Sequence, residues 1–369
     1  MRELTVHAPG LAAPAARGAT DEPRRLHVAL VTSQWGPPWV EGVRNLARRL
    51  VAFLEARGTR VTIVAPRRGR HDRLLGPTAR RLHLLTSGRF LITAALDARR
   101  AGADTVLMLA SASPLLGVRS WLLHRATGRP VVIYITGRRS MVTGCRTLLR
   151  ARTVAVNAPV LASLFPGATV VPPFVDPDRL GAGERTGRSE RPVILFLGAF
   201  ERCRGVEVLI EAMSHLPARL NASLVLAWNG VGWQRAASIV RTIGANRSPH
   251  TISLVQGADV ARLYAQASVM VIPRLTPERM AFPVRIVEAI ATSTPLIVTT
   301  VNGMDGLVEG CGLAVPPGDA RALAAALERL LTDDDLYRRL VAGCREKARM
   351  LDSDRSLDML YRTLAAAVA

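Results

Sequence analysis

The chain has 369 residues, 49% apolar and 4% aromatic, and a formal charge of +20 from 49 basic and 29 acidic groups. This length corresponds to about two ordinary domains, and the apolar fraction is ample for two cores, which excludes a mainly disordered chain. No apolar run approaches the roughly 18 residues that cross a bilayer, so no transmembrane helix is predicted.

Residues 1–23 interrupt their Ala, Pro and Gly with charges and never form the apolar core of a secretory signal. They read as a flexible tail on a cytoplasmic protein. Cys145, Cys203, Cys311 and Cys344 stand too far apart for a C-x-x-C site, and the seven histidines form no zinc-like pair, so no metal site is predicted. Residues 1–185 hold 28 basic and 11 acidic groups, a net of +17, and residues 186–369 only +3. The densest run, Ala65 to Leu85, carries Arg67, Arg68, Arg70, Arg73, Arg80 and Arg81. Such a surface draws phosphate on an acidic membrane or an anionic substrate, and is equally read as a solvated loop in an arginine-rich chain. With few aromatics for base stacking, nucleic acid is not an expected partner.

Along the chain, short apolar runs alternate with stretches of helical period. "LHVALVTS" from Leu26 is a buried strand. The next segment, "VRNLARRLVAFLEARG", puts Val43, Leu46, Leu50, Phe53 and Leu54 on one helical face and stops at Gly58; "RVTIVAP", "DTVLMLA" and "RPVVIYITG" are further strands. Arg179 to Pro192 breaks the rhythm with glycines and charges and is read as a linker. Beyond it, "VILFLGAF", "ASLVLAWNG", "SVMVIP" and "PLIVTT" are strands separated by helices, and three helices close the chain. The prediction is an α/β protein with two doubly wound parallel sheets facing each other across a cleft. Its divisions are a tail (1–23), a first domain (24–180), a linker (181–191), a second domain (192–350) and a terminal helix (351–369).

The segments "ILFLGAFERCRGVEVLIEAM" from Ile194, "DVARLYAQASVMVIP" from Asp259 and "FPVRIVEAIATSTPLIVTT" from Phe282 resemble, in order, the retaining glycosyltransferases of the GT-B fold known as family four. In the first half, "WGPPWVEGVRNLARRL" from Trp35 and "VVPPFVDPDRL" from Val170 are similar to that family too, and the resemblance runs from about Leu26 to Ala348.

The resemblance implies a donor site for a nucleoside diphosphate sugar, UDP favoured over GDP, with no other cofactor. Gly198 would permit close backbone approach, Arg204 stands at the family's Lys position, and Arg202 is a nearby cation. Phe282, Pro283, Val284 and Arg285 would present a helix N-terminus to the diphosphate, and Glu288 matches the ribose-binding carboxylate. The family's first glutamate is replaced by Met280, with Glu278 two residues earlier; its loop arginine is Ala199. Catalytic roles are expected for Arg204, Glu288 and Glu278. On the acceptor side, Glu41 and Gly42 stand at a Gly-Gly pair, and Thr136 with Gly137 at a position where many members have His. The implied activity is hexose transfer to a hydroxyl acceptor with retention of anomeric configuration. The alternative is a catalytically impaired relative that binds a nucleotide sugar or glycan, or supports a partner transferase. An anionic or lipid-linked acceptor, with peripheral contact at the inner face of an acidic membrane, would suit the charge of the first half.

Overall fold

The computed structural model describes residues 26–32, 42–65, 91–113, 115–138, 153–157, 159–175, 180, 191–228, 235–257, 259–277, 284–351 and 353–369. The first of two sheets contains β1 (His27–Thr32), β2 (Arg60–Val64), β3 (Thr105–Ala112), β4 (Val131–Arg138), β5 (Thr153–Val156) and β6 (Thr169–Val170), ordered β2-β1-β3-β4-β5-β6. The second contains β7 (Val193–Gly198), β8 (Ser223–Trp228), β9 (Thr251–Gln256), β10 (Val269–Ile272), β11 (Leu296–Thr299) and β12 (Gly312–Val315), ordered β12-β11-β10-β7-β8-β9. Every strand pair is parallel.

Helices cover both faces of each sheet, which is why β1, β10 and β11 are buried at every position and show no polar alternation. On one face of the first sheet lie α1 (Gly42–Ala56) and, from the far end of the chain, α12 (Ser353–Ala366). Leu46, Leu50 and Leu54 of α1 recur once per turn and meet Leu357, Leu360 and Leu364 of α12 over Leu30, Leu107 and Tyr134. α1 closes at Gly58, whose φ of +75° favours glycine. The other face carries α2 (residues 91–100), α3 (Leu116–Thr127) and the single turn α4 (Pro159–Ala162). In the second sheet α5 (Val206–His215), α6 (Ala236–Ala245) and α10 (Ala320–Thr332) fill one core. The opposite core takes α7 (Val260–Gln266), α8 (Val284–Ala291) and the turn α9 (Met304–Leu307). α11 (Asp334–Met350) contributes to both. Asp259, Asp319 and Asp333 cap α7, α10 and α11 by accepting backbone N–H bonds.

The chain enters α12 beside the first domain: the Ser353 hydroxyl accepts from the Val175 amide at 3.1 Å, and Arg49 of α1 pairs with Asp354 at 2.9 Å. Arg57 reaches Asp358 and lies over the rings of Phe53 and Tyr361, 4.4 and 5.4 Å from their centroids.

Four strands per half were expected, and six are found in each sheet among the described residues. β5 and β12 have four residues each, β6 has two, and β9 is an edge strand whose exposure varies along Thr-Ile-Ser-Leu-Val-Gln. None forms a long buried apolar run, the signal on which the sequence expectation rested. The tail and most of the linker, residues 181–190, lie outside the described residues.

Candidate functional site

In the second sheet the strand order reverses between β7 and β10: the helix after β7 packs on one face and the helix after β10 on the other. A crevice opens at the carboxyl ends of such a strand pair, where doubly wound sheets bind their ligands.

After β7, the ring of Phe200 is buried and stacks on Trp228 with centroids 5.4 Å apart. A single 3₁₀ turn, Arg202–Arg204, then leads through Gly205 into α5. Gly205 has φ +69°, and a Cβ there would lie 1.8 Å from the carbonyl oxygen of Pro273, at the end of β10. The Leu275 amide donates to the Cys203 carbonyl at 3.0 Å, and the Thr299 hydroxyl donates to the Arg274 carbonyl at 2.7 Å. The carboxyl ends of β7, β10 and β11 are therefore bound into one unit. At Gly198 a Cβ would meet only the Phe196 ring at 3.5 Å, an ordinary contact, so packing of the chain does not itself demand glycine there.

This unit concentrates positive charge. Arg204 is about one-third exposed, and its Nε lies 3.6 Å from the Glu201 carboxylate, beyond hydrogen-bond reach, so that buried N–H has no hydrogen-bond partner. Arg274 is 3% exposed; burial first, then the positive charge of Arg204, pushes its pKa down to about 10, against opposing effects of Cys203 and Glu201. Arg235 pairs with Glu207 of α5, and burial followed by the nearby Arg202 lowers its pKa. The Oγ1 of Thr276 is buried without a hydrogen-bond partner. Arg202 and Arg204, named from the sequence, thus share their surroundings with Arg235 and Arg274, which were not. A lone arginine after an apolar run carries little signal in this arginine-rich chain.

On α8, Glu288 is 3% exposed. Its Oε2 accepts from the Arg285 guanidinium at 2.5 Å and from the Tyr264 hydroxyl of α7 at 3.1 Å. Burial opposes the charge on Arg285, but the adjoining Glu288 carboxylate outweighs it and raises the pKa; burial and then Glu288 hold the Tyr264 hydroxyl well above its ordinary value. The two bonds engage two of about four carboxylate lone-pair sites. Arg285 therefore serves Glu288 with its side chain. Tyr264, read from the sequence only as part of a helix, is the third member of the group. Val284 is the first residue of α8 and half-buried. Glu278, Phe282 and Pro283 lie outside the described residues, as does Met280.

In the first sheet, β4 carries one extra residue against β3: Ala110 pairs with Ile135 and Ser111 with Gly137. Thr136 is that bulged residue, a feature that re-aims backbone at strand ends. Its hydroxyl reaches the Ala110 carbonyl at 3.5 Å, and its own carbonyl accepts from Nδ2 of Asn157 at 3.0 Å. Asn157, at the end of β5 and 1% exposed, has its Oδ1 buried without a partner; it was not expected as a site residue. Gly42 opens α1, and Glu41 lies outside the described residues. Among the described residues no group of three or more His, Cys, Asp or Glu is placed to hold a metal ion, and no helix is long and apolar enough to cross a membrane.

Residues 191–333 match the family model described as Glycosyl transferases group 1. Among curated proteins, the chain is 30% identical over 148 residues to an uncharacterized glycosyltransferase of Methanocaldococcus jannaschii, covering 40% of this chain and 37% of that protein. It is 28% identical over 215 residues to the D-inositol 3-phosphate glycosyltransferase of Xylanimonas cellulosilytica, covering 54% and 51%. The matches thus span about half or less of these relatives' length. Among solved structures, a glycosyltransferase of Rickettsia africae ESF-5 superposes with a TM-score of 0.73 at 16% identity, covering 94% of this chain and 99% of that one. Anabaena HepE in complex with UDP-glucose superposes with 0.69 at 14% identity, covering 93% and 100%. At these identities the structural likeness concerns the fold. The chain therefore has the two-domain GT-B fold, and its residues 191–333 are similar to the family described as Glycosyl transferases group 1.

Proposed function

We propose that the protein is a glycosyltransferase that moves a hexose from a nucleoside diphosphate sugar, UDP favoured over GDP, to a hydroxyl acceptor with retention of configuration and without a metal ion. The observation that carries this reading is the cation-rich unit at the β7/β10 reversal, with Arg204 Nε lacking a hydrogen-bond partner and α8 with Glu288 on the opposite flank. A leaving diphosphate gains negative charge as the anomeric bond breaks, and fixed guanidinium groups stabilise that charge more than the ground state. Arg204 and Arg202 would take this role, with Arg274 reinforcing the field from below; Gly198 and the amides of Val284 and Arg285 would let backbone approach the phosphates. Glu288, held by Arg285 and Tyr264, would accept from the ribose hydroxyls with its remaining lone pairs. Glu278, Phe282 and Pro283 would complete the donor side, Glu278 with a catalytic role in place of the family's first glutamate. Thr136, Gly137, Gly42 and Glu41 would form the acceptor side, joined by Asn157 through its unpaired Oδ1.

In a retaining route of front-face type the diphosphate oxygen takes the acceptor proton as the glycosidic bond forms, so no side-chain nucleophile is needed. UDP is favoured because a neighbour of the same fold was solved with UDP-glucose, and an anionic acceptor accords with the charge of the first half and with the phosphate in the name of the Xylanimonas relative. A cytoplasmic location, as expected from the sequence, belongs to the same reading. Calorimetric titration with UDP, GDP and their glucose and mannose conjugates tests the donor site: micromolar binding of a UDP species is expected, and silence from all of them would remove the reading. Donor hydrolysis, monitored over a panel of acceptors, tests catalysis. Binding with no turnover would instead support the non-catalytic relative.

A further inference from the structure

Six of the ten exposed large apolar side chains among the described residues fall on two helices of the first domain: Ile92 and Leu96 on α2, Leu115 at the start of α3, and Val118, Trp121 and Leu122 within it. Single exposed hydrophobic residues need no explanation, but a cluster of this kind does. Both helices insert into the same core, Ala94, Ala95 and Ala98 from α2 and Leu116 and Leu123 from α3, so they cover the same face of the sheet. In α3 the buried positions 116, 120, 123 and 127 define the inner side, and Val118, Trp121, Leu122 and Arg125 point the other way. In α2 the same reasoning turns Ile92, Leu96, Arg99 and Arg100 outward.

The two outward faces share one pattern. α2 ends just before β3 and α3 begins just after it, so both helices run against that strand, apolar residues first and arginines last. On the sheet face they share, their outward sides carry these apolar residues together with Arg99, Arg100 and Arg125, all exposed. The sole acid on either helix is Asp97, and the half-chain stands at +17.

We infer that this α2–α3 face docks on a membrane surface rich in acidic lipid, with Trp121 and its apolar neighbours seated at the headgroup level and the arginines against lipid phosphates. Charge decides the occupant. A second copy meeting this face by two-fold symmetry would bring the same arginines toward one another with Asp97 as the only acid on these helices, whereas anionic headgroups compensate them. An indole ring is suited to the boundary between water and hydrocarbon, and shallow seating of an amphipathic surface fits a chain whose described helices do not span a bilayer. This inference does not depend on the donor site. It rests on residues other than the arginine run at Ala65 to Leu85, of which residues 66–85 lie outside the described residues.

The test is sedimentation of the full chain with phosphatidylcholine vesicles, and with vesicles containing one-quarter phosphatidylglycerol, at low and high salt. The expected result is recovery in the pellet with acidic vesicles, weakened by salt. Ile92→Glu with Trp121→Glu should lower that binding by about tenfold. The milder pair Leu96→Ser with Leu122→Ser should lower it less and keep the wild-type melting temperature, which separates lost docking from lost folding. Equal recovery in the supernatant with both vesicle types would overturn the proposal. So would unchanged binding by both variants, because basic segments elsewhere would then account for it. A dimer that the variants convert to monomer, measured by light scattering without vesicles, would assign the face to self-association and overturn it likewise.

Discussion

Arg204 and Arg274 differ in what surrounds them, and that difference sets what their loss should do. Arg204 is partly exposed and has an N–H without a hydrogen-bond partner, so Arg204→Ala should weaken UDP binding by about 10- to 100-fold, the worth of a charge-assisted hydrogen bond, with little change in melting temperature. Arg274 is almost wholly buried beside it, so Arg274→Ala should weaken UDP binding and also shift the denaturation midpoint. Calorimetry and denaturant titration on the same samples separate the two. At Gly205, left-handed backbone and the Pro273 carbonyl leave no room for a methyl group; Gly205→Ala should cost about 2 kcal/mol or more, read from the urea midpoint, and displace the turn that carries Arg204. His27 offers a pH readout. Its ring bonds Thr62 at 2.8 Å, and burial and then Arg60 hold its pKa below the ordinary 6.5. The unfolded chain therefore binds this proton more readily than the folded one. The stability that neutral His27 contributes is present in full above pH 6.5 and declines as the pH falls toward its lowered folded value. His27→Gln should flatten the melting-temperature profile between about pH 7.5 and 5.5.

At the scale of elements, the return of α12 to the first domain combines a buried apolar seam with surface ion pairs, and the two should contribute unequally. Leu360 is fully buried among α1 and the first sheet, so Leu360→Ala should cost about 2 to 5 kcal/mol. The Arg49–Asp354 pair is half-open to solvent, with Asp354 66% exposed, so Arg49→Ala should cost less than about 1 kcal/mol. Equal losses in chemical denaturation would mean that charge, and not burial, holds the terminal helix. The elements α7 and α8 are coupled differently, by Tyr264, Arg285 and Glu288 sharing one buried carboxylate oxygen. Their register thereby fixes the direction of the carboxylate proposed to meet the ribose.

At the scale of the molecule, each sheet has a core on either side, the core of α7 and α8 also takes in Val175 and Leu180 from before the linker, and α12 crosses from the second domain to the first. A ligand confined to the β7/β10 crevice stabilises the domain that binds it by mass action. At about 100 times its dissociation constant, UDP should add about 2.7 kcal/mol to that domain. Scanning calorimetry should show the corresponding transition move upward with nucleotide while the other moves less. A shift confined to the first domain would place the nucleotide elsewhere.

How much of this could be read from residues in order depends on the distance over which the information acts. The buried parallel strands and the face of α1 were readable because periodicity reports burial within a few residues, whereas Arg204 was singled out by the family resemblance. Chain order also placed Glu288 on a helix following a strand. The polar edge strand β9 and the short strands β5, β6 and β12 were missed because they exist by pairing with neighbours more than by their own pattern. Arg274, Tyr264 and Asn157 lay beyond such reading for the same reason. Gly205 meets Pro273 and Asn157 meets Thr136 only after segments distant in sequence pair in parallel, and composition gave no reason to prefer one arginine over another. Local chemistry thus specified the elements, and the family resemblance the motif. Long-range strand pairing, which brings together groups that no local pattern connects, set the neighbours of Arg204 and the orientation of Glu288.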